Sequence, residues 1–161
     1  IENLEGRYAR TWDTGDATGW AAVFTEDGEW EAKAAGTQAA ANLVRGRDEL
    51  EAFCRQCAGF VTGLHYLHIN EVEVDGDRAR ALVYFEFRGL IKTPGEASET
   101  LHQLVSGYYD VTYVRTEEGW RMRRRLEQPT AVSTAASVGG LIAPPSFPPS
   151  KCQTDQGGAD G

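Results

Sequence analysis

Four long runs of alternating apolar and polar residues occupy the middle of this chain and constrain its fold more than any other feature. They lie at 63–74, 78–90, 99–116 and 119–128, and the segments DGD, KTPGEA and EEG join them. Alternation with a period of two is typical of strands that bury one face. Short links that contain glycine favour antiparallel hairpins. The sequence therefore predicts a sheet of long antiparallel strands.

The residues before these runs have helical periodicity. Apolar residues at helical spacing predict a first helix from residue 2 to about residue 13. Asp16 is the expected N-cap of a short second helix, and Asp48 is the expected cap of a third helix that ends near Gly59. EWEAKA is the expected first strand. Helices followed by long antiparallel strands predict an α+β domain with the helices on one face of a curved sheet.

The composition changes after Gln128. Five of the six prolines fall in 129–161, and the segment KCQTDQGGADG at the end is polar and rich in glycine. We therefore divide the chain into a folded domain, 1–128, and a Pro/Gly-rich tail, 129–161, whose end we expect to be disordered. The apolar segment GGLIAPPSF within the tail is expected to fold back on the domain.

Charge and cysteine content exclude several classes of function. The net charge of −8 over 161 residues argues against a nucleic-acid partner, and RMRRR at 121–125 is interpreted as a solvated face. No apolar run reaches the roughly 18 residues of a membrane helix. Cys54 and Cys57 form a C-x-x-C pair on a helix, which favours buried apolar side chains over a metal site. We expect a cytoplasmic protein with no metal, no nucleic-acid partner and no membrane partner.

The first strand run carries two histidines on opposite faces. His65 shares its face with the apolar Leu67 and Ile69, whereas His68 points the other way. The apolar positions change parity near Asn70, which predicts a β-bulge. His65 is therefore expected to be buried, either as a hydrogen-bonded core residue or as a catalyst.

A carboxylate beside a buried histidine would favour catalysis, because it fixes the tautomer of the ring and stabilises its cation. The first helix offers one. Tyr8 and Trp12 are predicted to face the core, and Asp13 follows directly at the end of the helix. A turn or capping role for Asp13 within DTGD is the alternative.

The order of motifs resembles the SnoaL-like branch of the nuclear-transport-factor-2-like superfamily. The motifs are WDTGD, FTEDGEWEA, VRGRDELEAF, then a histidine before VEVDGDRARA, and finally GYYDVTYVRTEEGWRMRRR. The resemblance covers residues 4 to 128. It implies a cone-shaped roll, in which a strongly curved antiparallel sheet wraps around the helices and encloses a pocket.

Members of the scytalone dehydratase and hexachlorocyclohexane dehydrochlorinase types carry an Asp–His pair. Asp13 matches the aspartate, and His65 matches the histidine, eleven residues before Gly76. The resemblance implies a cofactor-free lyase that eliminates a group, by a dehydratase-type reaction, from a cyclic or polyketide-like small molecule. His65 would be the general base and acid, a role worth about 10²–10⁴-fold in rate, and Asp13 would orient it.

The substrate-binding residues differ from those of scytalone dehydratase. Trp12 and Ala32 stand where that enzyme has tyrosines, and Ser106 stands near its second histidine. Arg124 has the parity of an inward side chain and could bind an oxyanion, whereas His102 is expected at the surface or rim. The candidate pocket residues are Tyr8, Trp12, Trp20, Phe24, Trp30, Phe53, Leu67, Phe85, Ser106, Tyr108 and Arg124.

Two other functions fit the same residues. An isomerase or cyclase could use the Asp13–His65 pair without losing a leaving group. A non-catalytic binding or assembly protein, like the small β subunits of ring-hydroxylating dioxygenases, would need neither residue. In every case the resemblance implies a homodimer or homotrimer and a small-molecule ligand.

Overall fold

Three helices and one six-stranded sheet make up the computed structural model, which describes residues 1–93 and 100–136. The helices are α1 (Glu2–Asp13), α2 (Ala17–Ala21) and α3 (Arg47–Ala58). The strands are β1 (Phe24–Lys33), β2 (Ala40–Arg45), β3 (Val61–Asp75), β4 (Arg78–Lys92), β5 (Thr100–Thr116) and β6 (Gly119–Ala136). In the described part of the chain, no helix is long and apolar enough to cross a membrane.

The sheet has the strand order β2-β1-β6-β5-β4-β3, and the helices pack on its concave face. This confirms the predicted α+β cone. One detail of the prediction is wrong, because the sheet is mixed: β1 pairs with β6 in parallel, whereas every other pair is antiparallel. The parallel pair arises because α3 and the three long hairpin strands separate β1 from β6 along the chain.

The first two helices form as the sequence predicts. α1 ends at Asp13, and the Asp16 carboxylate caps α2 by accepting a hydrogen bond from the backbone N–H of Gly19 at 2.9 Å. The predicted N-cap of α3 is wrong by two residues. Gly46, with φ of 82°, is its N-cap, and Asp48 lies inside the first turn, where its charge still favours the helix dipole.

The observed strands differ from the predicted ones at β2, which was not predicted, and at the end of β6. β2 lies in a stretch of small residues without clear alternation, and pairing with β1 rather than propensity makes it a strand. The predicted end of the last strand at 128 is also wrong, since β6 pairs with β5 up to Ala136. The segment GGLIAPPSF and the rest of 137–161 lie outside the described residues.

Bulges decide which side chains face the concave side of the sheet. The predicted bulge near Asn70 is confirmed by the register shift between Leu67 and Asn70. A second bulge was not predicted. Met122 pairs with Tyr113 and Arg124 pairs with Thr112, so Arg123 has no counterpart on β5. This extra residue reverses the parity of β6 from Arg124 to Pro129, where a further shift at Thr130 follows.

The reversed parity brings Arg125 into the core. Its side chain is 0% exposed, and its guanidinium lies between the rings of Tyr8 and Tyr109, with Cζ 3.8 and 3.7 Å from the two centroids. Its Nη1 donates to both carboxylate oxygens of Glu5, at 2.9 and 2.8 Å, and the hydroxyl of Tyr113 donates to Glu5 at 2.5 Å. The interpretation of 121–125 as a solvated face is therefore wrong at Arg125.

This buried ion pair joins α1 to the sheet. Burial opposes the charge on Arg125, but Glu5 and the surrounding tyrosines hold its pKa above the ordinary value, so it is a cation at every physiological pH. Burial raises the pKa of the Tyr8, Tyr109 and Tyr113 hydroxyls as well. The cluster therefore carries one cation and one carboxylate among neutral rings, and loss of either charge leaves the other unpaired.

Glu5→Gln is expected to lower the free energy of unfolding by about 3–5 kcal/mol, because the amide keeps the shape of the side chain but leaves Arg125 without a counter-charge. Urea denaturation followed by circular dichroism measures the change. Glu26→Gln is the matched control, since the Glu26 carboxylate that pairs with Arg47 is 85% exposed. Its expected change is about 0–1 kcal/mol. Equal losses in the two variants would contradict the stabilising role of the buried pair.

Candidate active site

A cavity of about 310 Å³ opens between the helices and the concave face of the sheet. Six of the predicted site residues line it: Tyr8, Trp12, Trp30, Phe53, His65 and Phe85. The rest of the wall comes from all six strands and from α3, and consists of Ala32, Lys33, Ala41, Asn42, Cys57, Val61, Phe87, Gln103, Val105, Glu127 and Pro129.

The structure brings Asp13 and His65 together. The Nδ1–H of His65 donates to Oδ1 of Asp13 at 2.6 Å, since a carboxylate can only accept. The backbone N–H of His65 donates to the second oxygen, Oδ2, at 3.0 Å. The two side chains are 7% and 9% exposed. With Nδ1 turned toward Asp13, Nε2 is the nitrogen left for a molecule in the cavity.

Each partner is positioned by an element that the sequence predicts. Asp13 is the last residue of α1, and His65 is on β3 opposite Phe87 of β4. Both Asp13 oxygens bind β3, so the pair also links the end of the helix to the sheet. This explains how a carboxylate is tolerated at a helix C-terminus, where the dipole disfavours it.

Aromatic rings surround the imidazole. The centroid of Phe87 is 4.9 Å from that of His65, and the rings of Tyr8, Trp12 and Phe85 follow at 6.2, 6.4 and 6.4 Å. The Tyr8 hydroxyl is held in turn as the acceptor of a hydrogen bond of 3.2 Å from Trp30 Nε1. The imidazole therefore faces an apolar chamber with rigid walls.

Six other predicted site residues do not line the cavity. Trp20, Phe24 and Leu67 pack in the core behind it. Ser106, Tyr108 and Arg124 are wrong, since all three lie on the outer face of the sheet. Tyr108 packs beside the exposed Tyr84, with ring centroids 6.2 Å apart.

The physical reasons for these errors differ. β5 buries its odd-numbered residues, so the neighbouring Tyr109 is the inward tyrosine. Arg124 follows the bulge at Arg123, which turns it outward, where its Nη2 donates to Glu31 at 2.6 Å. His102 is exposed, as predicted.

Glu127 and Cys57 were missed by the sequence analysis. Glu127 is two residues after Arg125 on β6, so it is on the same face of the strand. It points inward only because of the bulge at Arg123. Burial raises the pKa of Glu127 to about 7, although the Arg125 charge opposes the shift. Burial also raises the pKa of the Cys54 and Cys57 thiols, to about 12 and about 11, so neither is a thiolate at neutral pH.

Metal-binding chemistry finds no support in the side chains that the structure describes. Among residues 1–93 and 100–136, no group of three or more His, Cys, Asp or Glu side chains could hold a metal ion.

The comparisons agree with this architecture. The sequence model of the SnoaL-like domain matches residues 1–126. The chain belongs to the SnoaL-like family. The resemblance inferred from the motifs is confirmed, and the matched range includes α1, β3 and the Asp13–His65 pair. No curated protein matches this SnoaL-like sequence.

Solved structures share the SnoaL-like fold. A protein of Novosphingobium aromaticivorans, provisionally named an aromatic ring hydroxylase, has 25% identity and a TM-score of 0.69 over 84% of this chain and 90% of that one. A second protein of that organism, provisionally named a scytalone dehydratase, has 19% identity and a TM-score of 0.67 over 88% and 93%. The hexachlorocyclohexane dehydrochlorinase LinA-type3 of Novosphingobium barchaimii has 15% identity and a TM-score of 0.70 over 89% and 92%.

Gly63 is required where β3 passes the ring of Phe87. A Cβ at Gly63 would lie 2.5 Å from Cζ of that ring and 2.6 Å from the carbonyl oxygen of Arg88. Gly63→Ala is therefore expected to lower the free energy of unfolding by about 1–3 kcal/mol and to move Phe87 against His65.

Thermal or urea unfolding tests this prediction, and the chemical shifts of the His65 ring report the displacement. Gly6→Ala in this SnoaL-like domain is the control, because a Cβ there meets nothing within 4 Å on an exposed face of α1. That variant should gain up to about 1 kcal/mol. A Gly63→Ala protein as stable as the wild type would contradict the close approach.

Proposed function

We propose that this SnoaL-like protein is a cofactor-free lyase that eliminates a leaving group from a cyclic, polyketide-like small molecule. His65 removes a proton from a carbon next to a carbonyl, and the leaving group departs from the adjacent carbon. Asp13 orients the imidazole and stabilises the imidazolium that forms. The observation that carries the proposal is the 2.6 Å hydrogen bond between His65 Nδ1 and Asp13 Oδ1 at the wall of an apolar cavity.

The hydrogen-bond arrangement suits a base. Histidine exchanges protons near neutral pH, and the nitrogen bound to a carboxylate keeps its hydrogen, so the opposite nitrogen carries the free lone pair. In His65 that nitrogen is Nε2. When Nε2 takes a proton, the positive charge lies directly beside Asp13, in surroundings with little water to screen it. A non-catalytic binding or assembly subunit would have no use for proton transfer by this pair.

The cavity wall suits the substrate class. Trp12, Trp30, Phe53 and Phe85 present flat apolar surfaces, and Phe53 packs 4.9 Å from Trp30 at a small angle. Such walls bind flat ring systems by dispersion and by burial of apolar area. Polar side chains in the same wall, among them Asn42 and Gln103, can orient a carbonyl.

Family likeness supports the reaction type. Proteins named as a scytalone dehydratase and as hexachlorocyclohexane dehydrochlorinases share the fold. A dehydratase and a dehydrochlorinase both perform eliminations, although they release different groups.

Asp13→Asn is expected to fold normally and to lose about 10²–10⁴-fold in kcat, because an amide cannot stabilise a protonated ring. The assay follows release of α-naphthol from α-tetralone that carries a leaving group on the carbon β to its carbonyl, with the rate in buffer subtracted. Circular dichroism and urea denaturation check the fold.

Asp16→Asn is the matched control. It removes the same charge three residues away, and asparagine caps a helix as well as aspartate does, so the bond to Gly19 persists. This variant should keep the wild-type rate. Full turnover by Asp13→Asn, or equal losses in the two variants, would exclude a catalytic role for the Asp13–His65 pair.

A further inference from the structure

Glu127 has no role in the proposed base chemistry, although it faces the same cavity. It lies on β6, where it pairs with Tyr109 of β5 and with Ala32 of β1. Among the described residues that line the cavity, it is the one carboxylic acid. His65 lies on the edge strand β3, and β5 and β4 lie between it and β6 in the sheet. The two groups therefore approach a bound molecule from different sides.

The surroundings of Glu127 disfavour its ionised form. The nearby cation is Arg125, which opposes this shift, but its Nη1 is bound to Glu5 at 2.9 and 2.8 Å, so part of its charge is compensated. Burial consequently prevails, and the pKa of Glu127 rises to about 7. The charged or titratable groups that surround it or share its cavity are Arg125 on β6, Glu5 and Tyr8 on α1, Tyr109 on β5, Lys33 on β1, His65 on β3 and Cys57 on α3.

We propose that Glu127 is the general acid of the elimination, and that the leaving group is therefore a hydroxyl rather than a halide. This inference rests on the proposed lyase function. Chloride departs as a stable anion and needs no proton. Hydroxide is a poor leaving group and departs readily only when an acid protonates its oxygen. A neutral carboxylic acid in the cavity is useful for the second case alone.

The protons and electron pairs of the proposed elimination balance. The C–H electron pair becomes the new carbon–carbon π bond as Nε2 of His65 takes the proton. The C–O bond breaks, its electron pair stays on oxygen, and the Glu127 carboxyl proton converts that oxygen to water. Product departure leaves an imidazolium and a carboxylate, and exchange of one proton through solvent restores both. No oxidant, reductant or further reactant is required.

The test compares two substrates in one protein preparation. α-Tetralone with a hydroxyl on the carbon β to its carbonyl requires both the base and the acid, whereas the β-chloro compound requires only the base. Glu127→Gln reproduces the neutral shape but cannot give up a proton. The ratio of the hydroxyl rate to the chloro rate should fall by about 10²-fold or more. The ratio does not depend on the fraction of folded protein.

Glu29→Gln is the matched control for the rate ratio. Glu29 is on the neighbouring strand β1, outside the cavity, where it pairs with Arg45 at 3.2 Å. Its ratio should equal that of the wild type. In the wild type the ratio should also decrease above pH of about 7 as Glu127 loses its proton, and this decrease should be absent in Glu127→Gln.

The outcomes separate the inference from the proposed function. An unchanged ratio in Glu127→Gln, or a wild type that converts only the chloro compound, overturns the assignment of Glu127 and leaves the Asp13–His65 base intact. If the wild type converts neither compound, the lyase function itself fails and the acid role fails with it.

Stability provides a second readout that needs no substrate. An acid whose pKa is raised on folding binds its proton more tightly in the folded state. The wild type should therefore lose stability relative to Glu127→Gln as the pH rises from about 4.3, the ordinary value for glutamate, to about 7. Parallel stability curves for the two proteins over this range would show that Glu127 is ionised in the cavity, which overturns the proposal.

Discussion

The bond between Glu5 and Arg125 fixes the geometry on which the cavity depends. It joins the first turn of α1 to the last strand of the sheet, and the ring of Tyr8, one turn further along the helix, lies on the guanidinium. The direction of the helix is then set at one end. Its other end carries Asp13, whose carboxylate binds His65 on the edge strand β3. α1 thus spans the cone between two buried polar contacts.

This arrangement combines an ion pair that fixes the position of α1 with apolar packing that supplies stability. A buried ion pair contributes little stability compared with an apolar replacement, but it tolerates few alternative positions because each charge needs its partner. The aromatic side chains supply the apolar area that drives collapse, and they pack in several orientations. The Glu5–Arg125 pair selects the one in which Asp13 reaches the backbone and the ring of His65.

The sequence predicts site residues correctly only where the alternation of inward and outward side chains along a strand is uninterrupted. His65 was found because it stands only two residues from apolar neighbours on an uninterrupted stretch of β3, and Asp13 because a helix end is marked by DTGD. Arg125 and Glu127 were missed because one extra residue at Arg123 reverses the positions that follow it up to Pro129, and no residue type announces a bulge of this kind. In β5, adjacent tyrosines at 108 and 109 made either parity plausible.

Fold class was easier to predict than pairing. Long alternating runs with glycine turns specify local antiparallel hairpins, and these formed as expected. The parallel contact of β1 with β6 joins segments about ninety residues apart and has no local signal, since it depends on how the helices fill the cone. Yet this contact brings Ala32 beside Glu127 and closes the wall of the cavity.

The two candidate proton-exchanging groups are controlled by opposite means. His65 is held by a carboxylate whose two oxygens both bind it, so a positive charge on its ring is compensated where it forms. Burial raises the pKa of Glu127, although the Arg125 charge opposes the shift and Glu5 offsets part of that charge. Asp13 thus lies where it can compensate a positive charge on the base, and burial favours the neutral form of the acid. A base and an acid in such different surroundings within one cavity are suited to acid–base catalysis, and α1 supplies the carboxylates that bind His65 and Arg125.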